Sequence, residues 1–151
     1  MKNALELPMS AESLIPHRAP MVLIDEVVAF DAAACTLSAE FAARREWSES
    51  WAAIEYMAQA SAALAGAMDI AEGREGGPRP GFLLGTRRLE LDLPRFEPGR
   101  RYTVNVTRTF DDTESASFDC EIADGDAVVA RATLNAYRPP DASAFLDSSR
   151  K

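Results

Sequence analysis

Glu55 and Gln59 stand four residues apart in a stretch, Trp51 to Met68, that is otherwise almost wholly apolar. On a helix that spacing puts them on one face, a turn apart. Burying a carboxylate costs several kcal/mol unless it is paired or protonated, so its presence there needs a reason. Burial favours its protonated form and the nearby helix N-terminus its charged form, a balance that suits a general acid. A glutamate that bonds a loop backbone and fixes the start of the helix is an equally open reading. His17 is the one imidazole in the chain and sits in Ile15-Pro16-His17-Arg18-Ala19-Pro20, where two prolines hold the backbone extended or turned. It is the only imidazole available for acid–base work, and an exposed or structurally bonded loop histidine is the commoner case. Arg18 beside it could neutralise a carboxylate or bind a phosphate, or be an ordinary surface arginine. No Gly-x-Ser-x-Gly elbow, phosphate-cradling glycine loop or dinucleotide fingerprint offers a competing set, and Gly81 to Gly85 lacks the required spacing.

The elements that must position these groups are written in the apolar pattern. Cys35, Leu37, Ala39 and Phe41 alternate with polar residues, as do Tyr102, Val104 and Val106, and then Ala116, Phe118, Cys120 and Ile122. Such alternation is the period of strands buried on one face. Asp124-Gly125-Asp126 predicts a hairpin turn into a strand from Ala127 to Tyr137. With Met21–Phe30 and Phe82–Leu91 the expectation is about six strands. One long helix is predicted over Trp51–Met68, with Ser48 or Ser50 as N-cap. It is apolar on nearly all sides, which fits only a helix surrounded by other structure. A buried helix wrapped by a curved antiparallel sheet is the hot-dog arrangement of the α+β class, although other α+β folds share the pattern.

The 151 residues are expected to form a single domain over 1–140 with a flexible tail at 141–151, and a Gly/Pro-rich loop over Glu72–Pro80. No apolar stretch is long enough to span a bilayer and no signal-peptide core precedes the domain, so a cytoplasmic setting is expected. Cys35 and Cys120 are expected to be free, and a single histidine leaves no familiar metal-ligand set. The net charge of −8 argues against nucleic acid. A local basic patch of Arg87, Arg88, Arg95, Arg100 and Arg101 could still receive an acidic partner, a solvated surface being the plainer reading.

Several of these segments resemble the FabZ-type 3-hydroxyacyl-[acyl-carrier-protein] dehydratases. Ile15 to Val27 resembles that family's Leu-Pro-His-Arg segment running into a first strand. Ile54-Glu55-Tyr56-Met57-Ala58-Gln59-Ala60 resembles its Glu-Ala-Met-Ala-Gln helix start, Phe82 to Gly99 its following strand and turn, and Val129-Ala130-Arg131-Ala132 its last strand. Gly81-Phe82-Leu83-Leu84-Gly85-Thr86-Arg87-Arg88 is most similar to the ApeP group of aryl polyene clusters. One departure is plain: the family's usual histidine lies in Gly-His-Phe-Pro ahead of the helix, and here Phe41 to Ser48 contains none. The Pro-Gly start of the family's helix, with its oxyanion-type backbone donors, is missing as well.

The resemblance implies a hot-dog dehydratase that removes water from 3-hydroxyacyl thioesters on acyl carrier protein. Glu55 and His17 would be catalytic, Gln59, Arg18 and Gly85 would lie on the substrate side, and Arg87, Arg88 and Arg95 would dock the carrier. It implies no cofactor beyond the carrier's phosphopantetheine arm, and a homodimer or higher oligomer, or a heteromer with a related dehydratase subunit. A thioesterase or a non-catalytic acyl-binding subunit on the same fold are the rival expectations.

Overall fold

The computed structural model describes residues 5–74 and 81–137, so part of the predicted Gly/Pro-rich loop and the predicted tail lie outside the described residues. In chain order it has β1 (Met9–Ser10), a 3-10 turn (Ala11–Leu14), β2 (Glu26–Asp31), β3 (Thr36–Ala42), two further 3-10 turns (Arg45–Trp47 and Ser50–Ala52), α1 (Ala53–Ala71), β4 (Phe82–Leu91), β5 (Arg101–Asp111), β6 (Ser115–Asp124) and β7 (Ala127–Tyr137). The strands form one antiparallel sheet in the order β1-β2-β3-β5-β6-β7-β4, curved around α1, which is the hot-dog arrangement.

The alternating residues bury the face they were expected to bury. Leu37, Ala39 and Phe41 of β3, Val104 and Val106 of β5, and Phe118 and Ile122 of β6 all pack toward the helix. Phe41 stacks on Tyr56 with ring centroids 3.9 Å apart, and Phe96 stands edge-on to both Tyr56 and Tyr102. Burying each such ring stabilises by about 1.5–3 kcal/mol, so the cluster pins the first turn of α1 to the sheet and with it the neighbouring Glu55. Burial also pushes the Tyr56 hydroxyl above its ordinary pKa, so it stays protonated and donates to the Trp47 carbonyl at 2.8 Å.

Local differences from the sequence expectation have identifiable causes. The strand predicted over Met21–Phe30 begins only at Glu26, because the Met21 carbonyl and Leu23 N–H bond the Gln59 side chain instead of a neighbouring strand. Asp25 ties this segment to β3 twice, its N–H donating to the Glu40 carbonyl at 2.9 Å and its side chain accepting from the Ala42 N–H at 2.7 Å. Neither Ser48 nor Ser50 caps α1: a 3-10 turn leads into it, Ala52 is the N-cap residue, and Ser48 Oγ donates to the Arg45 carbonyl. Cys35 falls outside β3, in a turn with φ 56. Among the described residues the sheet has seven strands, the extra one being the two-residue β1, too short to show a period. The Asp124-Gly125-Asp126 turn is as predicted, with Gly125 at φ 61.

Alanines along α1 let the sheet approach closely, and Gly66 goes further. A Cβ at Gly66 would run into the Leu14 backbone carbonyl of the first 3-10 turn. Gly66→Ala is therefore expected to destabilise the fold by about 1–3 kcal/mol through overpacking, despite alanine's better helix propensity. Urea unfolding checks this: an unchanged or raised midpoint would mean the turn does not rest on the helix.

Candidate active site

The first turn of α1 and the loop from Ile15 to Leu23 come together through one amide. Gln59 is fully buried; its Oε1 accepts from the Leu23 N–H at 2.8 Å, and its Nε2 donates to the Met21 carbonyl at 2.6 Å and to Glu55 Oε1 at 3.0 Å. The loop is held at its ends by buried Leu14, Ile15, Leu23 and Ile24. Arg18 folds back on it, donating to the carbonyls of Ile15 and His17, and Arg44 donates to the Pro20 carbonyl. Held this way, His17 places Nε2 3.8 Å from Glu55 Oε1, with both side chains 31% exposed. That gap is too long for a direct hydrogen bond. It is short enough that one reacting group, lodged beside it, can touch both.

Glu55 and His17 stand in the wall of a cavity of about 280 Å³. Pro16 lies beside them; Ala58, Ala62 and Ala65 continue the wall along α1, and Phe118, Leu134 and Ala136 face these from the sheet. The small helix side chains leave the space, and the walls between its ends are mainly apolar. Such a cavity takes an extended apolar chain with its reactive part at the acid–base pair.

The other predicted site residues are dispersed. Gln59 does not line the cavity but ties Glu55 to the His17 loop; Arg18 braces that loop. Gly85 pairs with Asn135 in β4 and is not part of the cavity wall, which uses Gly81, Phe82 and Leu83 instead. Arg87 reaches toward Asn135, and Arg88 lines a polar groove with Glu90, Asp119 and Glu121. Arg95 donates to Ser48 Oγ, while Arg100 and Arg101 are paired with Asp124 and Glu40 at 2.9 Å each. These arginines therefore do not make one patch. Residues 50–53 at the helix start do not line the cavity either. Cys35 and Cys120 are free, and burial pushes the Cys120 thiol up to about 12. Among the described residues no cluster of three or more histidine, cysteine or carboxylate side chains could hold a metal ion, and no helix is long and apolar enough to cross a membrane.

Two charged wall residues, Arg108 and Asp111, were not among the residues the sequence singled out. Arg108 pairs with Phe118 and continues the inward series Tyr102, Val104, Val106. A cation closing an apolar alternation was the available signal.

Because Gln59 serves both catalytic candidates, Gln59→Leu is expected to destabilise by roughly 1–3 kcal/mol, leaving the Met21 and Leu23 backbone groups unpaired. It should also lower turnover by loosening both partners. Unfolding curves and steady-state rates check the two effects; a stable, fully active variant would mean the clamp is dispensable.

A family model described as ApeP-like, ApeP dehydratase, matches residues 9–147. No curated protein sequence matches the chain significantly. Among solved structures, the chain is similar to the dehydratase heterocomplex ApeI:P from Xenorhabdus doucetiae, with TM-score 0.81 and 24% identity over 97% of this chain and 100% of that one. It is also similar to a Streptococcus mutans protein bound to acetyl CoA, with TM-score 0.59 and 11% identity over 82% and 94% of the two chains. A putative thioesterase from Ralstonia eutropha, related to phenylacetic acid degradation, gives TM-score 0.56 and 14% identity over 74% and 82%. Similarity at these identities shows the common fold, while the family match spans nearly the whole chain. The chain belongs to the ApeP-like dehydratase family.

Proposed function

We propose that this dehydratase converts 3-hydroxyacyl thioesters carried on acyl carrier protein to trans-2-enoyl thioesters, in fatty-acid-like or aryl polyene assembly. The observation that carries the proposal is the 3.8 Å approach of His17 Nε2 to Glu55 Oε1 in the wall of an apolar cavity. His17 takes the C2 proton as base; the C2–H electron pair forms the C2–C3 double bond, and the 3-hydroxyl leaves as water with a proton from Glu55. Two groups this close reach adjacent carbons from one side of the chain. A proton passed from His17 back to Glu55, directly or through one water, resets the pair, so acid–base chemistry alone balances the reaction.

The carrier's phosphopantetheine arm would present the thioester at the exposed edge of the pair. Carrier proteins of acidic character would be repelled by a chain of net charge −8 except near cations, and Arg95 by the helix start, with Arg44 and Arg18 around the His17 loop, supplies them there. Arg87 and Arg88 stand apart, both on β4, the strand that ends the sheet. That strand, β4, exposes Leu83, Leu84 and Leu89, an apolar edge suited to a second subunit. The heterocomplex form of the ApeI:P structure supports a related dehydratase subunit as one such partner.

Mass spectrometry of a 3-hydroxyacyl carrier protein, incubated with the chain alone and with a related dehydratase subunit, tests the proposal. Loss of water with the acyl group still on the carrier is expected. Release of free acid would make the protein a thioesterase, and no reaction under either condition would leave it an acyl-binding subunit.

A further inference from the structure

We infer that Arg108 is a specificity-determining residue that selects acyl chains whose far end carries a neutral hydroxyl group, an inference that rests on the acyl-thioester reading of the cavity. The inward series of β5 follows the helix: Tyr102 lies with Tyr56 and Phe41, and Val106 pairs with Cys120, whose thiol touches Ser61 Oγ at 3.4 Å. Arg108, paired with Phe118, is the next inward position, toward the C-terminal half of α1. The cavity wall on the helix runs from Glu55 to Ala65, about 15 Å along the axis at the α-helical rise. The acid–base pair and Arg108 thus mark its two ends.

The guanidinium is poorly served where it stands. Its side chain is only 12% exposed, yet among the described residues its side-chain contacts are Asp111 Oδ2 at 3.7 Å and Cys35 Sγ at 3.9 Å, neither a strong hydrogen bond. A largely buried guanidinium carries five donors in a fixed fork and is costly to leave without acceptors. A plain methyl end would desolvate it further and return nothing. An oxygen on the chain end would accept from Arg108 and, as a hydroxyl, donate to the carboxylate of Asp111, which also lines the cavity. An anionic end is disfavoured by that same carboxylate. The phosphate of a carrier arm is disfavoured in the same way, and the apolar walls of Ala58, Ala62 and Leu134 offer nothing to the amides of such an arm.

Calorimetric titration of the purified chain with unreactive acyl-pantetheine amides tests the inference without requiring turnover. Three ligands suffice: an acetyl amide, too short to reach Arg108, and two medium-chain amides of equal length ending in methyl or hydroxyl. Wild type should bind the hydroxyl-ended ligand about tenfold or more tighter than the methyl-ended one. Arg108→Leu should erase or reverse that preference and leave acetyl binding unchanged; Arg108→Lys, which keeps the charge without the fork, should retain part of it and serves if the leucine variant does not fold. An equal preference in wild type and variant, a uniform weakening of all three ligands, or no binding of any ligand overturns the inference. Turnover of a short 3-hydroxyacyl carrier substrate is measured separately, so that failure of dehydration counts against the catalytic reading and the end-group preference is judged by the titrations.

Discussion

Glu55→Gln is expected to slow dehydration by about 10²–10⁴-fold, the usual contribution of a positioned acid or base, while the protein unfolds at the same temperature as wild type. The substitution keeps the length and planarity of the side chain and an oxygen able to accept from Gln59 Nε2, now at 3.0 Å from Glu55 Oε1. What it removes is the proton that must reach the departing hydroxyl. The aromatic packing of Tyr56 beside it is untouched. The loss should therefore fall on kcat with KM little changed, since the chain is held by apolar walls and not by the carboxylate. Single-turnover rates and thermal melts on the same preparations separate the two effects; a variant with wild-type rate would remove Glu55 as the acid.

His17→Ala should produce a loss in the same range for a different reason. Among the described residues its ring Nε2 is the basic atom of the cavity wall that stands within reach of Glu55, and no other histidine exists to take its place. The loop itself does not depend on the imidazole, because it is held by Gln59, Arg18 and Arg44 through backbone carbonyls and the Leu23 N–H. The alanine variant should fold normally and leave a gap beside Glu55. Free imidazole added to it should restore part of the rate by entering that gap. Rates with and without imidazole check this, and undiminished turnover in His17→Ala would assign the base elsewhere.

Much of the fold was legible because it rests on period alone. β4 and β7 occupy the predicted limits, Phe82–Leu91 and Ala127–Tyr137, and the largely apolar helix did signal enclosure by the sheet. Where tertiary bonds replace local ones, the pattern failed: Met21 to Ile24 read as strand, but its backbone groups are taken by a glutamine far along the chain. The serines before α1 carried a capping signal that the 3-10 turn made redundant. Within the site, Glu55 stood out as a carboxylate in an apolar helix. Its distance from His17 did not, since the Gln59 clamp that sets the loop depends on three-dimensional closure. Arg108 was visible in the alternation of β5 yet went unread, because a single charge at a strand's end is ordinary unless the face it occupies is known to line a cavity.

In the proposed mechanism His17 and Glu55 work as one unit on one substrate. The measurement that tests it most directly is the turnover of a 3-hydroxyacyl carrier substrate by His17→Ala, Glu55→Gln and the double variant. Groups that act together give non-additive losses, so the double variant should be about as slow as the slower single variant. Losses that multiply, with the double variant slower by the product of the two, would show that the residues act independently and would contradict the paired mechanism.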